Sequence, residues 1–425
     1  MATIWARRLG RWRTLPVADD SVDARATSTF HALKTYQSFR RLWIASVLFT
    51  ASNWMQNITL GWLGFMLTDS ERYVGLLAFA GGIPFVVVSI PGGALLDRYD
   101  RRKVLMTGQF LAAVVAAGLA FFVLSGRAQP WHLLIAAFLN GCLQAIISPS
   151  QQSLVPRLVD TQDLQNALGL MSAGGNMTRV VGPALSGVLI AALGTGYPFV
   201  VQAIAVLAAF IIIYGTVFPT IAPSTGRLSV GVVMEGARIV ARRDDLREIF
   251  LLTALPSLLI FPYLSFLNVY AEDVMKIGSQ GLGLLLACSG VGAVIGGLMI
   301  ASRRSLAGIG SGLYLWTGVY CLCLMGFSLF PHVISGITLL AAAGLIGSFV
   351  FSANNALMQA RITDDVRGRV MGTYILTWGL MPIGALWMGE VAQVWGVQAA
   401  TFSGAFLCLL LVIGLRWKSR ALHAI

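Results

Sequence analysis

Long apolar runs separated by short polar breaks fill the chain from residue 42 to residue 417. A helix needs about 20 mostly apolar residues to cross a hydrocarbon core of roughly 30 Å. Twelve runs have that length, at 42–68, 72–96, 103–125, 130–155, 167–194, 196–218, 246–270, 279–301, 309–330, 332–360, 368–395 and 397–417. The pattern predicts an all-α membrane protein with twelve transmembrane helices. Its longest polar interruption, 219–245, separates six runs from six. The expected organisation is therefore a basic N-terminal tail (1–41), a six-helix bundle (42–218), a central loop (219–245), a second six-helix bundle (246–418) and a short C-terminal tail (419–425). The long basic segment ahead of the first run does not fit a cleaved signal peptide.

Composition agrees with this pattern. Of 425 residues 57% are hydrophobic and 11% charged, with a mean hydropathy of +0.77; soluble domains carry about twice that share of charge. Of the 30 Lys and Arg, only Arg72, Arg127 and Lys276 fall on the outer side if the N-terminus is cytoplasmic, and Arg179 lies inside a run. That bias predicts cytoplasmic termini. It also accounts for the net charge of +12, because anionic lipid attracts each rim cation by about 1 kcal/mol. Nucleic acid is not an expected partner. The tail "TIWARRLGRWRTL" reads equally as an amphipathic surface helix or as a disordered basic arm. The five cysteines all fall within runs and the histidines are scattered, so neither a disulfide framework nor a metal site is expected.

An offset near 204 residues relates the halves: Arg157 stands against Arg361, Asp160 against Asp364, and Gly92–Gly93 against Gly296–Gly297. This implies two bundles related by an axis along the membrane normal, with a site between them near the midplane.

"GGALLDRYDRR" resembles the loop signature between the second and third helices of the major facilitator superfamily, at Gly93, Asp97, Arg98, Arg101 and Arg102. Asp100 stands where a glycine is commoner. "RVVGPALSG", with Gly182, Pro183 and Gly187, resembles the glycine-proline motif of the superfamily's exporters. "SPSQQSLVPRL" and "VRGRVMG" resemble the branch of bacterial macrolide-efflux and enterobactin-export permeases. The resemblance implies a latch in which Asp97 accepts hydrogen bonds at the opening of span eleven, near Gly368, where free N–H groups and the macrodipole favour an anion. Gly93 would permit close helix approach, and the three arginines would brace the loop against carboxylates and lipid phosphates. The glycine-proline step in span five implies bending or close packing.

Ionisable residues at membrane depth default to functional candidates. Arg179 lies near the middle of span five, where it binds an anionic cargo group or pairs with backbone carbonyls. Glu390, read as the carboxylate well inside a C-terminal span, is the coupling candidate. By the family's geometry, spans one, four, seven and ten line the cavity. Their polar and aromatic residues are Asn53, Trp54, Gln56 and Asn57; Asn140 and Gln144; Tyr263 and Asn268; and Asn354 and Asn355. Such a neutral, amide-rich lining suits an amphipathic organic molecule, and each amide reads equally as glue between helices. No phosphate-binding G-x-x-x-x-G-K-[ST] loop is present, so a proton gradient is the expected energy source. The expected function is export of amphipathic molecules, drugs or siderophore-like metabolites, by alternating access in a bacterial inner membrane. The protein is expected to act as a monomer without a cofactor or enzymatic activity, and uptake is the alternative direction.

Overall fold

The computed structural model describes residues 30–218, 230–302 and 308–418. Every regular element among them is helical. A short α1 (His31–Thr35) leads into α2 (Gln37–Thr68), α3 (Glu71–Arg98), α4 (Arg101–Leu124), α5 (Pro130–Leu154), α6 (Leu164–Leu193) and α7 (Tyr197–Tyr214). After α8 (Val230–Arg242) come α9 (Asp244–Leu259), α10 (Leu267–Val269), α11 (Gly278–Ala301), α12 (Ile309–Leu329), α13 (Val333–Ala360), α14 (Asp364–Ile375) and α15 (Leu380–Lys418). Among the described residues ten stretches are long and apolar enough to cross a membrane. The amides Asn53, Gln56 and Asn57 dilute α2 below that standard. The last stretch, Val366–Trp417, contains a break at Gly396 (φ 81°, ψ 158°), a conformation that glycine adopts without a Cβ clash.

Besides the run at 368–395, which a 3-10 turn (Leu376–Gly379) divides between α14 and α15, two elements depart from the expected runs. The run at 246–270 is not one helix. Proline lacks an N–H and its ring crowds the carbonyl four residues back, and Pro262 follows Leu258 at that spacing. α9 accordingly ends at Leu259 and continues as a 3-10 turn (Phe261–Phe266), α10 and a π-helical turn (Tyr270–Val274). The polar interruption at 219–245 contains α8, which lies against α14: Gly236 abuts the Arg369 carbonyl, and Arg369 pairs with Glu235.

Arg101 at the start of α4, Arg157 just after α5 and Arg361 just after α13 mark the basic end of the helical body; the starts of α3 and α11 mark the far end. At the basic end Asp100 caps α4, its carboxylate accepting from the Arg102 N–H at 2.9 Å. That is a use for an aspartate at the position where a glycine is commoner. Arg102 donates to the Tyr214 carbonyl at 2.7 Å, and Arg101 reaches the Ser153 carbonyl at 3.5 Å. Among the described residues these two arginines brace α4 against backbone carbonyls.

Helices α2 to α7 enclose two apolar clusters, one around Leu42, Leu105 and Ile147, the other around Leu63, Leu119 and Phe199. Buried polar side chains lie in the same helices, with Gln202 donating to Gln56 at 2.5 Å and Thr59 bonded to Ser186 at 2.8 Å. Helices α9 to α15 share one larger cluster. Corresponding close crossings occur in both halves. Gly141 of α5 abuts the Gly81 carbonyl of α3, and Gly344 of α13 abuts the Ser289 carbonyl of α11. Only a residue without a side chain allows backbones this near.

Candidate functional site

The two halves meet along two glycine seams near the far end. In one, Gly75 and Gly82 of α3 press on Ala385, Gly389 and Pro382 of α15; in the other, Gly187 of α6 lies against Ser279 and Gly283 of α11. Polar contacts reinforce the first seam: Ser70 donates to Gln393 at 2.6 Å, and Arg72 pairs with Glu390 at 2.8 Å. Asn268 donates to the Gly61 carbonyl at 2.7 Å, joining α10 to α2.

Beneath these contacts lies a cavity of about 610 Å³ that extends to Gln152, close to the basic end of α5. Its wall is mostly apolar, with Phe85, Leu286, Trp378 and Met381 among the large side chains. A second lobe of about 360 Å³ shares Arg179, Leu264, Ser289, Ala293 and Trp378 with the first, and is lined by Asn176, Tyr263, Tyr320, Ser348, Ser352 and Asn355. One lobe is thus greasy and the other rich in hydroxyls and amides.

Arg179 stands at the junction, at the midpoint of α6. Its guanidinium lies over the Trp54 ring, 5.4 Å from the centroid. It is the one ionisable cation or carboxylate among the described residues lining either lobe. Gly182 brings α6 onto α2 at this level, since a Cβ there would sit 2.8 Å from Trp54 Cβ and 2.9 Å from the Ala51 carbonyl. Pro183 forms part of the wall, and α6 continues as one helix through it. The glycine-proline step thus serves close packing and does not end the helix.

A family model described as a transmembrane secretion effector matches residues 27–424. The chain belongs to that family, within the major facilitator superfamily. Three relatives are similar over most of their length. The Staphyloferrin A transporter of Staphylococcus aureus (strain NCTC 8325 / PS 47) is 26% identical, over 84% of this chain and 90% of its own. The Multidrug efflux pump Tap of Mycolicibacterium fortuitum is 25% identical over 85% and 90%. The Enterobactin exporter EntS of Shigella boydii serotype 18 (strain CDC 3083-94 / BS512) is 23% identical over 80% and 82%. The crystal structure of the nucleoside transporter NupG superposes with a TM-score of 0.74 at 15% identity, covering 90% of this chain and 100% of that one, which speaks to the fold alone.

In this transmembrane secretion effector the expected site residues divide into distinct groups. Trp54, Asn57, Gln144, Arg179, Pro183 and Asn268 line the larger lobe, and Tyr263 and Asn355 the smaller. Gln56 is 1% exposed and bonded to Gln202, Asn140 is buried, and Asn354 donates to the Leu252 carbonyl at 3.3 Å. Gln56 and Asn354 thus join helices, and all three are absent from the cavity wall, as is Asn53, which accepts from Asn57 at 3.1 Å. At i, i+3 and i+4 spacing Asn53, Gln56 and Asn57 share one helical face, but a helix wedged between neighbours and a cavity divides that face among different surroundings. The walls also draw on α3, α6, α11, the 3-10 turn Leu376–Gly379 and the start of α15, beyond the four expected spans.

Glu390 is half exposed at the far end in its pair with Arg72, outside both lobes. It is also not the sole carboxylate within the C-terminal runs. Glu248 of α9 is 2% exposed and accepts from the Tyr314 hydroxyl at 2.7 Å, while its Oε1 has no partner among the described residues. Its place one turn into the run made it look like a helix-end charge. No described residue lies within 4 Å of a Cβ built on Gly368. The side chains at Gly93, Asp97 and Arg98 fall outside the described residues, so the expected latch does too. The N-terminal tail and Arg303–Arg304 lie outside them as well. Trp378, Tyr320 and Ser289 went unnoticed, because nothing in their spacing sets them apart from ordinary core residues.

Proposed function

We propose that this protein is a secondary-active exporter of amphipathic organic molecules, working by alternating access of a cavity between two six-helix bundles. The observation that carries the reading is the two-lobed cavity, with an apolar lobe beside a polar one under a closed far end. Its size lies in the range that encloses drug-sized ligands. Counting α2, and dividing α15 at Gly396, brings the ten apolar stretches to twelve spans, over 42–218 and 246–418. The paired glycine crossings support two related bundles.

With the basic end cytoplasmic by the positive-inside rule, the described state is closed outward and offers its cavity toward the cytoplasm, where an exporter loads. Both termini are then cytoplasmic, the membrane is the bacterial inner one, and the protein acts as a monomer in the lipid bilayer. The names efflux pump and exporter among the relatives support the outward direction; uptake is the reverse reading. Among the described residues no carboxylate lines the cavity wall for the proton coupling expected from the sequence, so the proposal names no coupling ion. Gly93, Asp97, Arg98 and Gly368 remain the proposed inner gate, and Trp54, Asn57, Gln144, Arg179, Tyr263, Asn268 and Asn355 the cargo site.

The test is sided transport by purified protein in liposomes, with orientation fixed by protease access to the N-terminal tail. Cargo leaving the tail-side compartment supports export. Net movement only toward that side would reverse the direction, and absence of movement for every amphipathic probe would remove the reading.

A further inference from the structure

Among the described residues the cavity wall presents one cation and no anion. A guanidinium at the midpoint of a membrane-spanning helix is costly unless something balances it. The observed partner is the face of Trp54, and an aromatic face is a weak substitute for a carboxylate. Among the described residues neither lobe supplies Asp or Glu. Glu248 is buried in α9, bonded to Tyr314 of α12, and absent from both walls, and Glu390 is held by Arg72 at the far end. The donors nearest the junction point the same way. Ser289 lines both lobes and bonds Tyr263 at 3.4 Å, while Asn176 and Tyr320 share the smaller lobe with Arg179. Hydroxyl and amide groups can complete the coordination of an oxyanion whose charge the guanidinium meets.

We propose that the cargo is an amphipathic organic monoanion, a carboxylate or phenolate, whose charged group binds Arg179 while its apolar body fills the larger lobe and its hydrogen-bonding part the smaller. This rests on the exporter reading and adds to it a substrate class and a driving force. A cargo of charge −1 leaving the cytoplasm moves down an inside-negative potential, which biases its distribution outward by about 50-fold per 100 mV. No proton-binding acid in the cavity is then required. Trp54 covers the guanidinium when the site is empty and yields to the cargo when it loads.

The test uses three dansyl probes of similar size: dansyl-phenylalanine (anionic), dansyl-phenylalaninamide (neutral) and dansylcadaverine (cationic). Binding to the full-length protein in nanodiscs is followed by probe fluorescence, and transport in liposomes by valinomycin-set potentials at equal pH on both sides. The expected result is a preference for the acid of roughly 10- to 150-fold, the range of one charge-assisted hydrogen-bonded contact. Arg179→Gln should abolish that preference by weakening acid binding more than amide binding, while Arg179→Lys keeps most of it. Should Arg179→Gln fail to fold, the Arg179→Lys and wild-type charge ranking still decides. Binding and transport of all three probes without an acid preference, or an equal loss of all three in Arg179→Gln, would overturn this inference and leave the exporter reading standing. Acid movement driven by a pH gradient and indifferent to potential would overturn the driving force. Failure of every probe, of any charge, to bind or move would count against both readings.

Discussion

Gly187→Ala tests whether the seam between α6 and α11 holds the far end shut. A Cβ at Gly187 would sit 2.6 Å from the Ser279 carbonyl oxygen and 3.0 Å from Gly283 Cα. Both are backbone atoms, so no rotamer change relieves the contact. The helices must separate by about 0.8 Å for that oxygen to reach 3.4 Å, where ordinary van der Waals contact begins. Overpacking of this kind costs about 1–3 kcal/mol. The cost falls only on the state in which the seam is closed, so it shifts the conformational equilibrium about 5- to 150-fold toward an open far end. Double electron–electron resonance between spin labels at Leu193 and Ile334, both exposed near the far end, reads that equilibrium in a cysteine-free background. The longer-distance population should grow in Gly187→Ala and stay at the wild-type level in Gly118→Ala, where no described residue lies within 4 Å of the new atom. A folded Gly187→Ala protein with the wild-type distance distribution would refute the seam as a gate.

Two further measurements probe the N-terminal half. Gln56→Leu or Gln202→Leu alone leaves a buried amide without its partner, at a cost of about 1–3 kcal/mol, whereas the double replacement should recover much of that loss. A thermal-stability cycle that is additive would show the pair contributes no coupling. At the basic end Tyr36 donates to Asp163 and Asp160, each at 2.8 Å. The bond to Asp163, then desolvation and Asp160, pushes its phenol from 10.0 up to about 12. The folded state therefore holds this proton after the unfolded state has released it. The resulting stabilisation is present below pH 10 and is lost as pH rises through about 12. The ultraviolet difference titration of wild type against Tyr36→Phe should show a phenolate appearing near pH 12; its appearance near pH 10 would mean the bonds to the aspartates are absent in solution.

The architecture was legible in the sequence because bilayer thickness leaves long apolar runs few alternatives. The ends of α3, α5, α6, α11 and α13 lie within a few residues of the hydropathy boundaries. The run at 246–270 misled, since hydropathy does not register the backbone cost of Pro262. The site was legible at Arg179, Trp54 and Pro183, where a charge, an aromatic and a helix-breaking residue stand out from an apolar background. It was not legible for the amides. Gln56 and Asn57 are adjacent and chemically alike, yet one faces Gln202 inside the bundle and the other the cavity. That distinction depends on the angle at which α7 crosses α2, which no local pattern encodes. Glu248 was overlooked for a related reason: depth within a run predicts burial only when the helix end is free, and here Tyr314 covers it.

The proposed pairing of a cargo anion with Arg179 also predicts which step of the cycle feels the membrane potential. With a monoanion bound, the charges of cargo and Arg179 cancel, so the loaded cavity changes sides carrying no net charge. The empty cavity carries +1, and its return to the inward-facing state moves that charge toward the negative side. A full charge crossing 100 mV is worth about 2.3 kcal/mol, or roughly 50-fold, and this bias acts on the return of the empty carrier. Exchange of labelled for unlabelled cargo proceeds through loaded transitions and skips that step. Dansyl-phenylalanine exchange should therefore change less than about twofold between 0 and −100 mV, while net efflux rises by up to about 50-fold. Exchange as voltage-sensitive as net efflux would mean that the loaded cavity is charged, and the pairing of one cargo anion with Arg179 would fall.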